Sequence, residues 1–533
     1  MMWRSLLICI CLMTGTAGSA MAGPVTIVRG TGPGPTVSTT TSALSAVLLD
    51  GSADQNNAIL FSRTDVSMPQ TVRVEFDLTM TPEAQGVGVV FFDSLAIVPG
   101  RAPAIADWAE PNVDIAKDRL LTQTLAFALD SHNPKTVDRF DANGNIYDRP
   151  QREISIHTLG LERLNMLSPE DFATGKPVRV LFGFRFVPGG VLMSMRLGES
   201  VVFQDEFVPN VKAFAPSVVI GAQTRDAGGR VSVDNVVVAM DGVMQADPAP
   251  VVRVEVLSQE SLSGVRREVR KGVDLPQGKF ARVLAHVSLK APADGNVDPW
   301  DRKGALYLFG PDNQRYELMR FVTPFRRDWQ WTADVTDFLP ILQTRRELQL
   351  FVDTWSGKFE ADVWLEFFAG EPERQPVAVV NLWQGEQIYG DPQNPIENFL
   401  TDKIALVPAS TTGAKVRLTV TGHGQAPNTD NAAEFLPINR TLVVNGTRFT
   451  NLLWNRDNYL SPCRPQQGTW KFDRAGWGPG RMVEPWTVDV SKLFDQNVRT
   501  LELKYQTQRY LNQREEAGEP ATLWFDGVVV FYK

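Results

Sequence analysis

Apolar and polar residues alternate along most of this chain, the period of a half-buried strand. Val72-Arg73-Val74-Glu75-Phe76-Asp77-Leu78-Thr79-Met80 keeps every second side chain apolar, so one strand is expected there. Val178 to Phe186, then Pro188-Gly189-Gly190, then Val191 to Leu197 reads as strand, turn and strand. Leu442-Val443-Val444 followed by Asn445-Gly446 predicts a tight hairpin, because both central positions of that turn need positive φ. Further strands are expected over Lys415 to Thr421, Thr500 to Tyr505 and Leu523 to Tyr532. Helical spacing occurs only from Ile156 to Leu167, and a helix is expected there. No short repeat is visible. Many short strands broken by Gly and Pro indicate an all-β chain built of sandwiches of the jelly-roll kind.

Two changes of pattern suggest boundaries. Met240 to Val251 passes from a strand-like run into Ala246-Asp247-Pro248-Ala249-Pro250, and Glu371-Pro372-Glu373-Arg374-Gln375-Pro376 separates two strand-rich segments. The expected organisation is an N-terminal β-sandwich over 23–245 and jelly rolls over 251–375 and 376–533. A length of 533 residues accommodates several cores.

Residues 1–22 have the order of a secretory signal: Arg4, an apolar run from Leu6 to Met13, then Ala20-Met21-Ala22. An exported, periplasmic or extracellular protein of bacterial type is expected, the alternative being a cytosolic chain with a buried N-terminal strand. Cleavage would remove Cys9 and Cys11 and leave Cys463 alone, so internal disulfides cannot supply the framework. No apolar run is long enough for a membrane span. A net charge of −8 without a basic tract argues against a nucleic-acid surface.

Candidate chemistry is sparse before residue 250. His132, His157, His286 and His423 form no close pair, so no metal-binding cluster is expected. Asp141-Ala142-Asn143-Gly144-Asn145-Ile146-Tyr147-Asp148 spaces oxygen donors as a calcium loop does, but it lacks the closing Glu and fits an Asx-rich turn. The tryptophans are uneven: of thirteen, eleven lie from Trp300 to Trp524. In that half, Pro299-Trp300-Asp301-Arg302 precedes the run Ala305 to Phe309, and Phe351-Val352-Asp353-Thr354-Trp355 ends another. Gly422-His423-Gly424 and Ala433-Glu434-Phe435 flank a polar loop. Trp470 to Gly480 is a Gly/Pro-rich loop with Arg474 between indoles.

Together and in order, these fragments resemble the peptide-N-glycosidase F family, bacterial amidases that remove N-linked glycans. The matching pieces are Trp300-Asp301-Arg302, Arg320-Phe321-Val322-Thr323-Pro324, Asp334-Val335-Thr336-Asp337-Phe338, Asp353-Thr354-Trp355, Gly422-His423, Glu434 and Asp473-Arg474-Ala475-Gly476-Trp477. They cover residues 250–533 and leave the N-terminal half unassigned. The resemblance implies two adjacent eight-stranded jelly rolls with the site in the cleft between them, and no metal or cofactor. It implies Asp301 as principal catalytic carboxylate, supported by Glu434 and Asp353. Trp300, Arg302, Trp355, His423, Arg474 and Trp477 would bind substrate. The related copper monooxygenases share the fold, but their His-x-His ligands have no counterpart here.

Two departures matter. The family usually carries Glu where Asp353 stands, and its best-known members carry disulfides around these loops, with cysteine common where Gly478 stands. The expected activity is hydrolysis of the Asn–GlcNAc amide in N-glycoproteins, converting Asn to Asp; a non-catalytic N-glycan-binding protein of the same fold is the alternative. A monomer is expected. The N-terminal region weakly resembles a concanavalin- or laminin-G-like sandwich, which would serve as a glycan- or partner-binding accessory or as a spacer or lid.

Overall fold

The computed structural model describes residues 25–31, 36–39, 44–62, 67–94, 124–131, 152–158, 161–224, 228–244, 250–311, 313–424, 432–455, 458, 461, 463, 466–494, 498–510 and 520–533. The N-terminal signal-like segment, His132, Trp108 and the Asp141–Asp148 loop lie outside them. The chain is all-β, and every ladder between its described strands is antiparallel. It divides into two compact units, one drawn from Met1–Val137 and Asp148–Ala249, the other chiefly Pro250–Lys533.

The first unit contains two seven-stranded sheets. Thr71–Met80 is buried at alternate positions, as its pattern predicts. Val178–Val187 and Gly190–Leu197 pair through a turn in which Gly189 has φ +81°. Phe91 and Phe127 of one sheet pack on Phe182 of the other, with ring centroids 5.7 and 4.5 Å apart, so the two sheets share one aromatic core. The helix expected over Ile156–Leu167 is not formed. Glu153–Thr158 and Leu161–Leu167 are an antiparallel pair of strands instead. Gly160 interrupts the helical spacing, and Ile154 and Ile156 alternate with Ser155 and His157. Pairing with Thr124–Asp130 buries both isoleucines, so sheet formation overrides the short helical period.

The second unit contains two sandwiches of eight strands each, Val252–Ala369 and Pro376–Tyr532. Numbered within each sandwich, the sheets run 1-8-3-6 and 2-7-4-5 in both. This is the jelly-roll order, in which consecutive strands cross between sheets and leave both inner faces apolar. The Asn445-Gly446 hairpin is present, with φ of 45° and 82° joining Ile438–Val444 to Thr447–Leu453.

The rolls are fastened side by side. Tyr532 Oη donates to Asp337 at 2.6 Å, and Arg417 meets the other oxygen of the same carboxylate at 2.7 Å. The strand Arg315–Val322 of the first roll takes backbone hydrogen bonds from the loop carrying Gly480 and Val483 of the second. Trp331 Nε1 donates to the Gly480 carbonyl, and Arg327 to that of Cys463. Cys463 is free and buried, and burial pushes its thiol up to about 12. No disulfide braces the described loops; backbone pairing and packing hold them. Of the eleven C-terminal tryptophans, Trp331, Trp383, Trp470, Trp477 and Trp524 are buried, Trp329, Trp364, Trp454 and Trp486 are half-buried, and Trp300 and Trp355 are exposed, so cores account for only part of the indole excess.

Candidate active site

Asp301 lies just before strand Lys303–Phe309 of the first roll, on a turn built by its neighbours. The Asp298 carboxylate accepts from the Trp300 amide at 3.0 Å, an Asx turn, and from Arg302 Nε at 2.8 Å and Thr354 Oγ1 at 2.7 Å. Burial works against charge on Asp298, yet these hydrogen bonds hold its pKa below the ordinary value. Thr323 completes the turn: its hydroxyl accepts from the Arg302 amide at 2.7 Å and donates to the Trp300 carbonyl at 3.1 Å. With both flanking residues fixed, the position of Asp301 follows.

The second roll supplies the facing groups. Strand Gly413–His423 ends at the site, and Glu434 and the Asp473–Trp477 loop lie against that end. The Gly422 and Ala475 amides donate to the Ala475 and Glu434 carbonyls respectively, chaining the three segments together. A Cβ on Gly422 would stand 2.3 Å from the Ala433 carbonyl oxygen, so only glycine permits this approach. Gly476, at φ +81°, makes the bend that turns Arg474 inward.

Arg474 is the centre of the arrangement and is 1% exposed. Its Nε donates to Glu434 at 3.1 Å, and its Nη2 faces the Asp301 carboxylate at 3.6 Å. Nη1 donates to the carbonyls of Thr469 and Phe472 at 2.9 and 3.0 Å, and Nη2 to Thr469 Oγ1 at 2.8 Å. One guanidinium thus joins a carboxylate from each roll. Asp301 has a side chain only 18% exposed. Burial raises its pKa to about 6, against the opposing pull of Arg474 and Arg302. A carboxylate poised there exchanges protons near neutrality.

Beside this pair lies His423, its ring tilted by 30° against Trp477 with centroids 5.2 Å apart; Trp477 also carries the Arg474 guanidinium at 4.8 Å. Burial first, then Lys303, Arg320 and Arg474, hold the imidazole pKa well below its usual value, so His423 is neutral at pH 7. Trp477 is 3% exposed and donates to the Gly422 carbonyl at 2.6 Å. It is a support behind His423 rather than an open platform.

Trp300 and Trp355 are the exposed aromatics, at 51% and 55%. Arg302 lies against the Trp355 ring at 3.9 Å, its other bonds committed to Asp298 and Ser356. Neither Arg302 nor Arg474 is a free fork for ligand; both organise the walls. Asp353 takes its ion pair from Arg267, at 2.8 Å, and not from Arg474. The structure therefore brings Asp301, Glu434, His423, Arg474 and Trp477 into one cluster. Trp300, Arg302 and Trp355 stand along its first-roll rim, with Asp353 paired outward.

Several contributors escape motif reading. Asp298 precedes Pro299, and an Asp-Pro turn signal was available for it. The pair Lys303–Glu386, 2.8 Å apart, and the contact of Arg320 with Thr421 join residues from different rolls, which no local spacing reveals. Two open cavities of about 680 and 610 Å³ lie on the second roll around Glu397, Gln508 and Arg509, and contain none of the cluster. Among the described residues no group of three or more His, Cys, Asp or Glu is gathered for a metal, and no helix is long and apolar enough to cross a membrane.

Residues 397–524 match the family model for the C-terminal domain of peptide-N-glycosidase F. The chain is 31% identical over 211 residues to peptide-N(4)-(N-acetyl-beta-D-glucosaminyl)asparagine amidase F of Elizabethkingia miricola, a match spanning 36% of this chain and 58% of the relative. Among solved structures, PNGase F from Flavobacterium meningosepticum is similar at 23% identity, covering 53% of this chain and 96% of that one, with a TM-score of 0.46. PNGF-II covers 87% of this chain and 99% of its own at 13% identity, with a TM-score of 0.43. The jelly rolls stand on their own strand order, independently of these structural likenesses. The family-model match, the curated relative and the ordered motifs agree: the part of the chain after residue 250 is similar to peptide-N-glycosidase F, and the match spans 58% of that relative's length.

Proposed function

We propose that this chain is an exported, metal-independent amidase that hydrolyses the Asn–GlcNAc amide of N-glycoproteins. The observation that carries the reading is the meeting of Asp301 and Glu434, one from each roll, on the single buried guanidinium of Arg474. Asp301, ionised above about pH 6, takes a proton from water as the water oxygen adds to the side-chain carbonyl carbon of asparagine. The resulting tetrahedral oxyanion needs a nearby donor. When the C–N bond breaks, the proton held by Asp301 passes to the departing nitrogen, leaving aspartate and a glycosylamine. Glu434 and Arg474 hold the field around Asp301, and exposed Trp300 and Trp355 offer faces to pyranose rings. Export is supported by the signal pattern of Arg4, Leu6 to Met13 and Ala20-Met21-Ala22.

The test is incubation with an N-glycopeptide followed by mass spectrometry of the peptide, with and without EDTA. Asn converted to Asp with release of the intact glycan, unaffected by EDTA, is the expected result. An unchanged peptide that stays bound would favour the glycan-binding alternative. Because Asp353 is paired with Arg267 rather than Arg474, Asp353→Asn is expected to lower kcat/KM by about tenfold or less, whereas Glu434→Gln lowers it by about 10²-fold. Equal losses in the two variants would show that Asp353 shares the central role.

A further inference from the structure

Beneath His423 runs a chain of hydrogen bonds that fixes where the imidazole proton sits. Arg320 is fully buried between the rolls, with its Nε and Nη2 given to the Glu317 carboxylate at 3.0 and 2.8 Å. Its Nη1 donates to the Trp524 carbonyl at 2.6 Å and to Thr421 Oγ1 at 3.1 Å. Thr421 Oγ1 lies 2.8 Å from His423 Nε2. Arginine is only a donor, so Thr421 accepts from Arg320, and one hydroxyl proton remains to be placed. Thr421 is fully buried. If Nε2 carried a proton, both partners would donate to the same hydroxyl oxygen, and the Thr421 O–H would be left buried without an acceptor. That arrangement carries the full desolvation cost of an unmade bond. The O–H therefore points at an unprotonated Nε2.

We infer that Arg320 and Thr421 hold His423 as the neutral Nδ1–H tautomer, which presents a fixed hydrogen-bond donor to an oxygen of the bound substrate. The half-buried ring makes no Nδ1 hydrogen bond within the described residues, and it shares Trp477 with Arg474 in the Asp301–Glu434 cluster. Lys303, Arg320 and Arg474 all oppose a second ring proton. Arg320 and Thr421 are then positioning residues: they act through the imidazole. The tautomer follows from the protein's own bonds, while the role of the donor toward substrate rests on the amidase reading.

Imidazole ¹⁵N–¹H spectra of the ¹⁵N-histidine-labelled full chain decide the matter, with His423→Gln identifying the resonances. At neutral pH the parent is expected to show protonated Nδ1 and unprotonated Nε2. Thr421→Val removes the donor to Nε2 and is expected to move the ring to the Nε2–H form with about a tenfold loss in kcat/KM. Thr421→Ser restores the hydroxyl and is expected to keep the Nδ1–H form with kcat/KM within about twofold of the parent. An Nε2–H ring or an imidazolium in the parent overturns the inference, as does a Thr421→Val protein whose His423 stays Nδ1–H. A chain that shows the tautomer switch but releases no glycan supports the lock and removes the amidase reading alone.

Discussion

Asp301→Asn is expected to lower glycan release by about 10²–10⁴-fold while making the fold more stable at neutral pH. Activity falls because Asn cannot take the proton from water. Stability rises for a different reason. The folded-state pKa of Asp301 is about 6, above the ordinary 3.8. Between about pH 4 and pH 6 the native protein holds a proton that the unfolded chain has released. Stability therefore falls as pH rises through that window, and the cost is complete above it. Asn carries no such cost, so the variant should gain about 1–3 kcal/mol at pH 7 and nothing below about pH 4. Denaturant unfolding at the two pH values measures this. The same pKa predicts that kcat/KM of the parent climbs with pH through about 6 and levels off near neutrality. A stability gain without loss of activity would show a buried carboxylate with no part in the chemistry.

Arg474→Met is expected to destabilise the protein by about 3–5 kcal/mol as well as inactivate it. Breaking a buried ion pair from one side leaves the other charge uncompensated. Here one substitution strips the partner from Glu434 and the facing charge from Asp301, and orphans the Thr469 and Phe472 carbonyls. Arg474→Lys restores charge but not the planar fork, so it should recover only part of the stability. Urea midpoints of the three proteins test the ranking. A midpoint for Arg474→Met equal to the parent's would mean that the guanidinium is not the tie between the rolls.

The strands were legible because their signals are local. Thr71–Met80 alternates, Asn445-Gly446 specifies its turn, and both need only a few neighbouring residues. Ile156–Leu167 failed for the complementary reason: its first residues pair with Thr124–Asp130, a strand with which they share no local signal, and Leu161–Leu167 pairs back on them. The site divides the same way. Trp300-Asp301-Arg302 and Asp473-Arg474-Ala475-Gly476-Trp477 are contiguous and could be read in order. Which of their polar groups face outward could not: Arg302 and Arg474 spend their donors on the protein, and Asp353 turns to Arg267. The supporting pairs Lys303–Glu386 and Arg320–Thr421 form only where the two sandwiches meet, and their partners lie 83 and 101 residues apart.

The most direct measurement of the central claim is hydrolysis of an N-glycopeptide in ¹⁸O-labelled water, read by mass spectrometry of the peptide product. If Asp301 delivers water to the asparagine side-chain carbonyl, the product is a sugar-free peptide with aspartate at the former glycosylation site, bearing one heavy oxygen in that side chain. The Asp301→Asn protein should yield none of it. A peptide that retains GlcNAc on an unlabelled asparagine, with the heavy oxygen in the released sugar, would contradict the amidase assignment and mark the site as that of a glycosidase.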